Sequence, residues 1–452
     1  MATTFADRWG VPVQASSEKS VALLDEAIES LAALAGDPVA TAEAASAADD
    51  QLVLSRIYQA YLALYGTTPE GLVLAGGLLD GLGQPGRGLA ERETHHLDAA
   101  RAWAAGHWEQ ATRALERALL AHPRDLLALK VAQDLYFFLG RRLDLRDVAA
   151  RVLPAWPPGQ PGWGYVQGIY AFGLEENAAY REAETRARRA LADNPRDVWS
   201  VHALAHVLEM EGRQRAGLDF LSGTARDWSG SFFAVHNWWH HALYHLELLD
   251  LDAGLALYDG PIRGQRSTEW LDIVDAAALL WRLSLAGADV TSRARQLAAD
   301  IDPLVAPRAG APIYLFNDWH AVMAFGLAGE HHRNQAVIAA NQQLPPGTNR
   351  RAAERAGLDL LAGFSAFAAG DPARALDLMI DVRPRADAVG GSHAQRDIID
   401  LTLIAAARRS GQTSLVRALV TERAARKPSA EPAAQALVAA NTVAASTPEP
   451  SR

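Results

Sequence analysis

Apolar positions recur along this chain every three or four residues. Ala, Leu, Arg and Glu fill long windows at that spacing, and Val/Ile/Thr-rich alternating segments bounded by turns are missing. The pattern predicts helices throughout. The clearest N-terminal helices fall over residues 21–34 and 51–65. A last helix is predicted over 434–445, before a frayed Ser/Thr/Pro-rich end.

The helices repeat. One unit reads Gly106-His-Trp108-Glu-Gln-Ala111, then Leu115, Ala118, Leu119 and Pro123. Small residues let two antiparallel helices approach, the aromatic fills the wedge between them, and proline cannot continue the second helix. The same spacing returns at Ala178, Tyr180, Ala183, Ala187, Ala190, Leu191 and Pro195. Gly140 lies 34 residues after Gly106, the tetratricopeptide repeat length. Further turns are placed at Gly212, near Leu249, and at Gly287, Gly329, Gly370 and Gly411. The expected fold is all-α, a tetratricopeptide-like helical-repeat superhelix (an α-α solenoid). It has an N-terminal helical cap over 1–90, repeats over 91–426, and a C-terminal helix and flexible tail over 427–452.

Composition narrows the function classes. With 49% hydrophobic residues among 452, the chain buries a large core, and stacked repeats share one. A net charge of −10 and no Lys/Arg block argue against nucleic-acid binding. The absence of cysteine excludes disulfides, thiolate zinc sites and cysteine nucleophiles. No apolar run is long enough to span a membrane, and the first residues do not read as a secretory signal, so a cytoplasmic protein is expected. Lysine occurs only as Lys19, Lys130 and Lys427, which reads as codon bias.

The repeat register selects candidate site residues. With Gly212 at the turn, His202, His206 and Glu209 share one helical stripe at i, i+4 and i+7, facing the concave wall, with Met210 beside them. Val201, Leu204, Ala205 and Leu208 form the packing stripe. The next helix carries His236 and His240 one turn apart, and His241 and His245 one turn apart, with Glu247 at its end. Which of the two stripes faces inward depends on a turn near Asp250 that is ambiguous by one residue. Glu269, Asp272 and Asp275 recur every third residue. They read as a solvated face except for Asp275, which adjoins an apolar run. His320 follows Asn317-Asp318-Trp319. His393, Gln395, Arg396 and Asp397 open a helix that Ser392 caps, with Gln395 completing a capping box. Arg396 and Asp397 are placed to pair with each other, although a guanidinium also clamps carboxylates or phosphates. The tryptophans 238, 239, 270, 281 and 319 read as core.

Several of these segments resemble the family of tetratricopeptide repeat protein 38. They are Tyr165-Val-Gln167-Gly168-Ile-Tyr170-Ala-Phe172-Gly-Leu-Glu175-Glu176, the stretch from Asn194 to Gly212, His236-Asn-Trp-Trp-His240, Tyr244-His245-Leu-Glu247, Asn317-Asp318-Trp-His320 and Gly391-Ser-His393-Ala-Gln395-Arg396-Asp397. The resemblance covers roughly residues 90–420 and implies a helical-repeat fold without a defined activity. The sequence departs from it at His241, where an apolar residue is expected.

The expected role is binding of a peptide segment or small molecule on an inner wall made by His202, His206, Glu209, His236, His240, Asp275, His320, His393 and Arg396. The alternative is an enzyme that uses this His/Glu/Asp set for acid–base or metal-assisted chemistry. No cofactor is predicted. A divalent ion on His202, His206, His236 and His240 is the candidate metal set, against the plainer reading of a hydrogen-bonded polar lining. H-E-x-x-H is absent. Gly81-Leu-Gly83-Gln-Pro-Gly86 matches G-x-G-x-x-G but is expected to be an ordinary loop, because no strand precedes it.

Overall fold

The computed structural model describes residues 3–83, 88–305 and 313–427. Among them helices dominate, and none is long and apolar enough to cross a membrane. The chain forms two compact units. The first is Met1–Val207 with Thr224–Ala234 and Pro345–Arg351; the second is Leu208–Gly223, Val235–Leu344 and Ala352–Arg452.

One expectation is corrected at once: strands do occur. Thr3–Ala6 pairs antiparallel with Pro12–Ala15. Four-residue strands are too short to leave a periodic signal. Side-chain bonds hold the hairpin instead. Asp7 Oδ1 accepts from the Trp9 and Val11 amides at 3.0 and 2.8 Å, and Asp7 Oδ2 accepts from buried Arg92 at 2.8 Å.

The rest of the first unit is helix pairs: Glu18–Ala33 with Pro38–Ala48, Val53–Tyr65 with Pro69–Leu79, Glu91–Ala104 with Trp108–Ala121, Leu126–Phe138 with Arg142–Val152, and Trp163–Glu175 with Tyr180–Asp193. Two N-termini of this unit combine an oxygen-bearing cap with proline in the first turn, Asp37-Pro38 and Thr68-Pro69, as does Asp371-Pro372 in the second. Pro123 and Pro195 follow helix ends as expected.

The second unit holds Ala234–Glu247, Trp270–Leu285 with Thr291–Val305, Leu315–Ala328 with His331–Gln342, Leu358–Ala368 with Pro372–Met379, and His393–Arg409 with Thr413–Arg426. Ser392 caps the His393–Arg409 helix, and Gln395 completes the capping box.

The repeat turns share one backbone feature. Gly106, Gly140, Gly212, Gly287, Gly329, Gly370 and Gly411 all take positive φ, and so do Ala178 and Leu249 at the corresponding turns. A left-handed residue ends one helix and reverses the chain into the next. Close approach needs small residues in the helices too. A Cβ on Gly173 would lie 2.6 Å from the Arg146 Cα, and one on Gly217 would lie 2.3 Å from the Tyr244 ring.

Gly81 and Gly83 follow the Pro69–Leu79 helix, so the strand that a dinucleotide loop requires is not there. The rest of that motif and the helix expected over 434–445 lie outside the described residues.

Candidate functional site

The Val198–Met210 helix is buried along its whole length, His202, His206 and Glu209 included. The expected contrast between a packed stripe and an open one is therefore not found. A helix apolar on one side and imidazole-lined on the other has been enclosed on both.

In the first unit, His202 and His206 stand one turn apart with ring centroids 4.4 Å apart, edge to face. Phe172 contacts both rings at 5.1 and 5.2 Å, and Trp199 and Phe233 flank His202. His206 Nδ1 lies 3.4 Å from the Glu175 carboxylate, which is fully buried. Lys130 lies over the Trp199 ring at 4.1 Å and pairs with Asp134 at 2.7 Å.

The second unit settles which histidine stripe of the Ala234–Glu247 helix does what. His236 Nδ1 lies 2.8 Å from Asp275 Oδ2, and His240 Nδ1 lies 2.9 Å from Glu209 Oε2. All four side chains are buried. Trp239 stacks on His236 at 5.3 Å and meets His240 edge-on at 4.9 Å. His241 and His245 face differently: His241 Nε2 meets Ser222 Oγ at 2.9 Å, and His245 meets Asp250 at 3.1 Å. Burial, and after it the His245 charge, lower the His241 pKa to about 4.

Each carboxylate does a specific job. An ionised carboxylate only accepts, so the imidazole facing it donates from Nδ1, and the neutral form of that ring then has its lone pair on Nε2. Glu209 is anchored from its other oxygen, since the Lys427 ammonium donates to Oε1 at 2.9 Å. Lys427 also donates to Glu247 at 3.0 Å, and Arg423 bridges Glu247 at 2.8 Å and Asp397 at 2.7 Å. Burial alone would lower the Lys427 pKa, but Glu209, Glu247 and Asp397 outweigh it and hold the ammonium above its ordinary value. Burial pushes Asp275 up, against the pull of His236. Asp272 rises to about 6, mainly through burial, while Glu269 stays exposed.

Other expected residues take plainer roles. His320 is buried against Phe316 and Trp319, its Nδ1 2.7 Å from the Phe316 carbonyl oxygen, and burial lowers its pKa to about 3. It is a neutral core histidine. Arg396 donates to the Gly390 and Gly391 carbonyls, and Asp397 pairs with Arg423, so the expected Arg396–Asp397 pair is replaced by two others. His393 is half-buried in the first turn of its helix. Of the tryptophans, 239, 270, 281 and 319 are core, and Trp238 is half-buried.

Three cations of the second unit escaped the sequence reading: Lys427, Arg423 and Arg282. Lysine scarcity was the available signal. Two of the three lysines, Lys130 and Lys427, are buried in ion pairs, where a long cation stem is hard to replace.

The chain matches no family model.

Proposed function

We propose that this chain is a tetratricopeptide-type helical-repeat protein, akin to the tetratricopeptide repeat protein 38 family, that binds a small molecule through His236 and His240. The observation that carries the reading is the pair of carboxylate-fixed imidazoles one turn apart on one helix, Asp275–His236 and Glu209–His240. Fixing a tautomer has little value to a packed core, where apolar residues fill the same volume at lower desolvation cost. It does matter to a partner that must find an acceptor nitrogen in a set direction. The burial of both rings favours a small molecule over an extended peptide. The ligand class is a compact molecule with N–H or O–H donors.

Saturation-transfer NMR with a set of small amides, ureas and polyols tests this. Binding to wild type and its loss in His236→Gln and His240→Gln are expected, with helical circular dichroism retained. Equal responses from wild type and both variants would remove the assignment.

The same geometry favours a second reading, acid–base or metal-assisted chemistry. A carboxylate that orients a histidine raises its basicity and supports metal ligation by the other ring nitrogen. Each unit carries an imidazole pair of i, i+4 spacing beside buried carboxylates, His202/His206 in the first and His236/His240 in the second, where His241/His245 is a further pair. Elemental mass spectrometry of the purified protein decides the metal form: zinc, iron, manganese or copper well below one per chain sinks it.

A further inference from the structure

The second unit contains a cavity of about 230 Å³ whose lining includes neither His236 nor His240. Its walls are apolar, with Leu243, Leu246, Leu285 and Leu401 from three helices. Glu209, Glu247, Asp397, Arg282 and Lys427 make the polar part of the lining, and half-buried Arg408 adds a guanidinium. A cavity with leucines on one side and an ion-pair network on the other suits an amphipathic occupant.

Two features define the head group. Glu247 is buried, and its Oε1 accepts from both Arg423 and Lys427. Its Oε2 is buried with no hydrogen-bond partner among the described residues. A buried carboxylate oxygen left unpaired is costly, so a donor brought by a ligand is favoured there. The second feature is charge. Within the ion-pair network Glu209, Glu247 and Asp397 are matched by Lys427, Arg423 and Arg282, and Arg408, which is half-buried, keeps its charge partly in solvent. A charged head of either sign would unbalance a buried network, whereas a neutral hydroxyl or amide supplies the donor without that cost.

Size sets the body. A dry apolar cavity of about 150 Å³ accepts benzene, so this one accommodates roughly nine non-hydrogen atoms. We infer that the cavity is a binding site for a neutral, medium-chain amphiphile, whose hydroxyl or amide group donates to Glu247 and whose alkyl chain packs on Leu243, Leu246, Leu285 and Leu401. The inference goes beyond the histidine site and does not depend on it.

1-Octanol, octylammonium and octanoate are the probes, titrated into the full chain by calorimetry with melting temperature as a second readout. The expected result is saturable one-to-one binding of 1-octanol that raises the melting temperature, with both charged probes about ten-fold weaker or more. Leu401→Trp fills the cavity and is expected to abolish 1-octanol binding while the helical signal stays. Glu247→Gln, which removes the charge and, with its carbonyl oxygen kept toward Arg423 and Lys427, turns an N–H₂ where the Oε2 acceptor was, is expected to weaken it about five-fold or more. No saturable binding, or binding undiminished in Leu401→Trp, overturns the site. Tighter binding of octanoate or octylammonium than of 1-octanol overturns the neutral head group.

Discussion

His240 Nδ1 meets Glu209 Oε2 at 2.9 Å inside the second unit, and the opposite oxygen of Glu209 receives Lys427. One carboxylate thus orients an imidazole and anchors the end of the last described helix, 218 residues away in sequence. Two demands on one buried side chain make it sensitive to change. Removing one partner of a buried pair leaves an uncompensated charge, at a cost of about 3–5 kcal/mol. Glu209→Ala is therefore expected to lower the melting temperature sharply, and a variant melting like wild type would show that the pair contributes nothing. Differential scanning calorimetry makes the comparison.

Lys427→Ala should be similarly destabilising, because Glu209 and Glu247 both lose a donor. Lys427→Arg is expected to recover part of the loss. Buried pairs are weakly screened, so the wild-type-to-Ala difference should change little between about 0.15 and 1 M NaCl. A difference that disappears in salt would place the ammonium in solvent.

His241 supplies an acid-sensitive term. Its folded pKa is about 4, lowered chiefly by burial, against 6.5 for the ordinary group. The folded ring stays neutral where the unfolded one is protonated. The stability it contributes is complete above pH 6.5 and is lost as pH falls from 6.5 towards 4. His241→Gln keeps an amide to face Ser222 and removes the titration. Relative to wild type, it is expected to gain stability progressively over that window, by up to about 3 kcal/mol. Parallel pH profiles in urea denaturation would contradict this.

Asp25 acts with the opposite sign. Burial, then the charge of Asp7, raises its pKa to about 7, while the Arg8 amide donates to it at 2.9 Å. A raised carboxylate favours the fold while protonated, so its contribution is present below the unfolded value and disappears as pH rises through 7. Asp25→Asn removes the ionisation. Its melting temperature is expected to match wild type near pH 4 and exceed it by a few degrees at pH 8; the reverse order would place Asp25 in an ionised, well-paired state.

The repeat turns give a backbone test. Ala178 is exposed with φ +61°, in the region that suits glycine, and Gly411 has φ +70° with open space where a Cβ would stand. Ala178→Gly should stabilise, and Gly411→Ala destabilise, each by about 1 kcal/mol. Opposite signs in thermal melts would mean that side-chain contacts outweigh backbone strain at these turns.

Local physics explains what could be read in advance. The predominance of helix, the turn positions from Gly106 to Gly411, the cap at Ser392 and the pairing of His236 with His240 on one stripe follow from periodicity, proline stops and left-handed glycines, all expressed within a few residues. The sequence by itself therefore determined the helices, their turns and which imidazoles share a face. Only the tertiary structure decided what those faces meet. Asp275 lies 39 residues from His236, Lys427 lies 218 from Glu209, and Arg92 fastens the hairpin from 85 residues away at Asp7. Such pairings depend on how helices stack, and a buried charge finds whichever counter-charge that stacking brings within reach, so no local spacing encodes them.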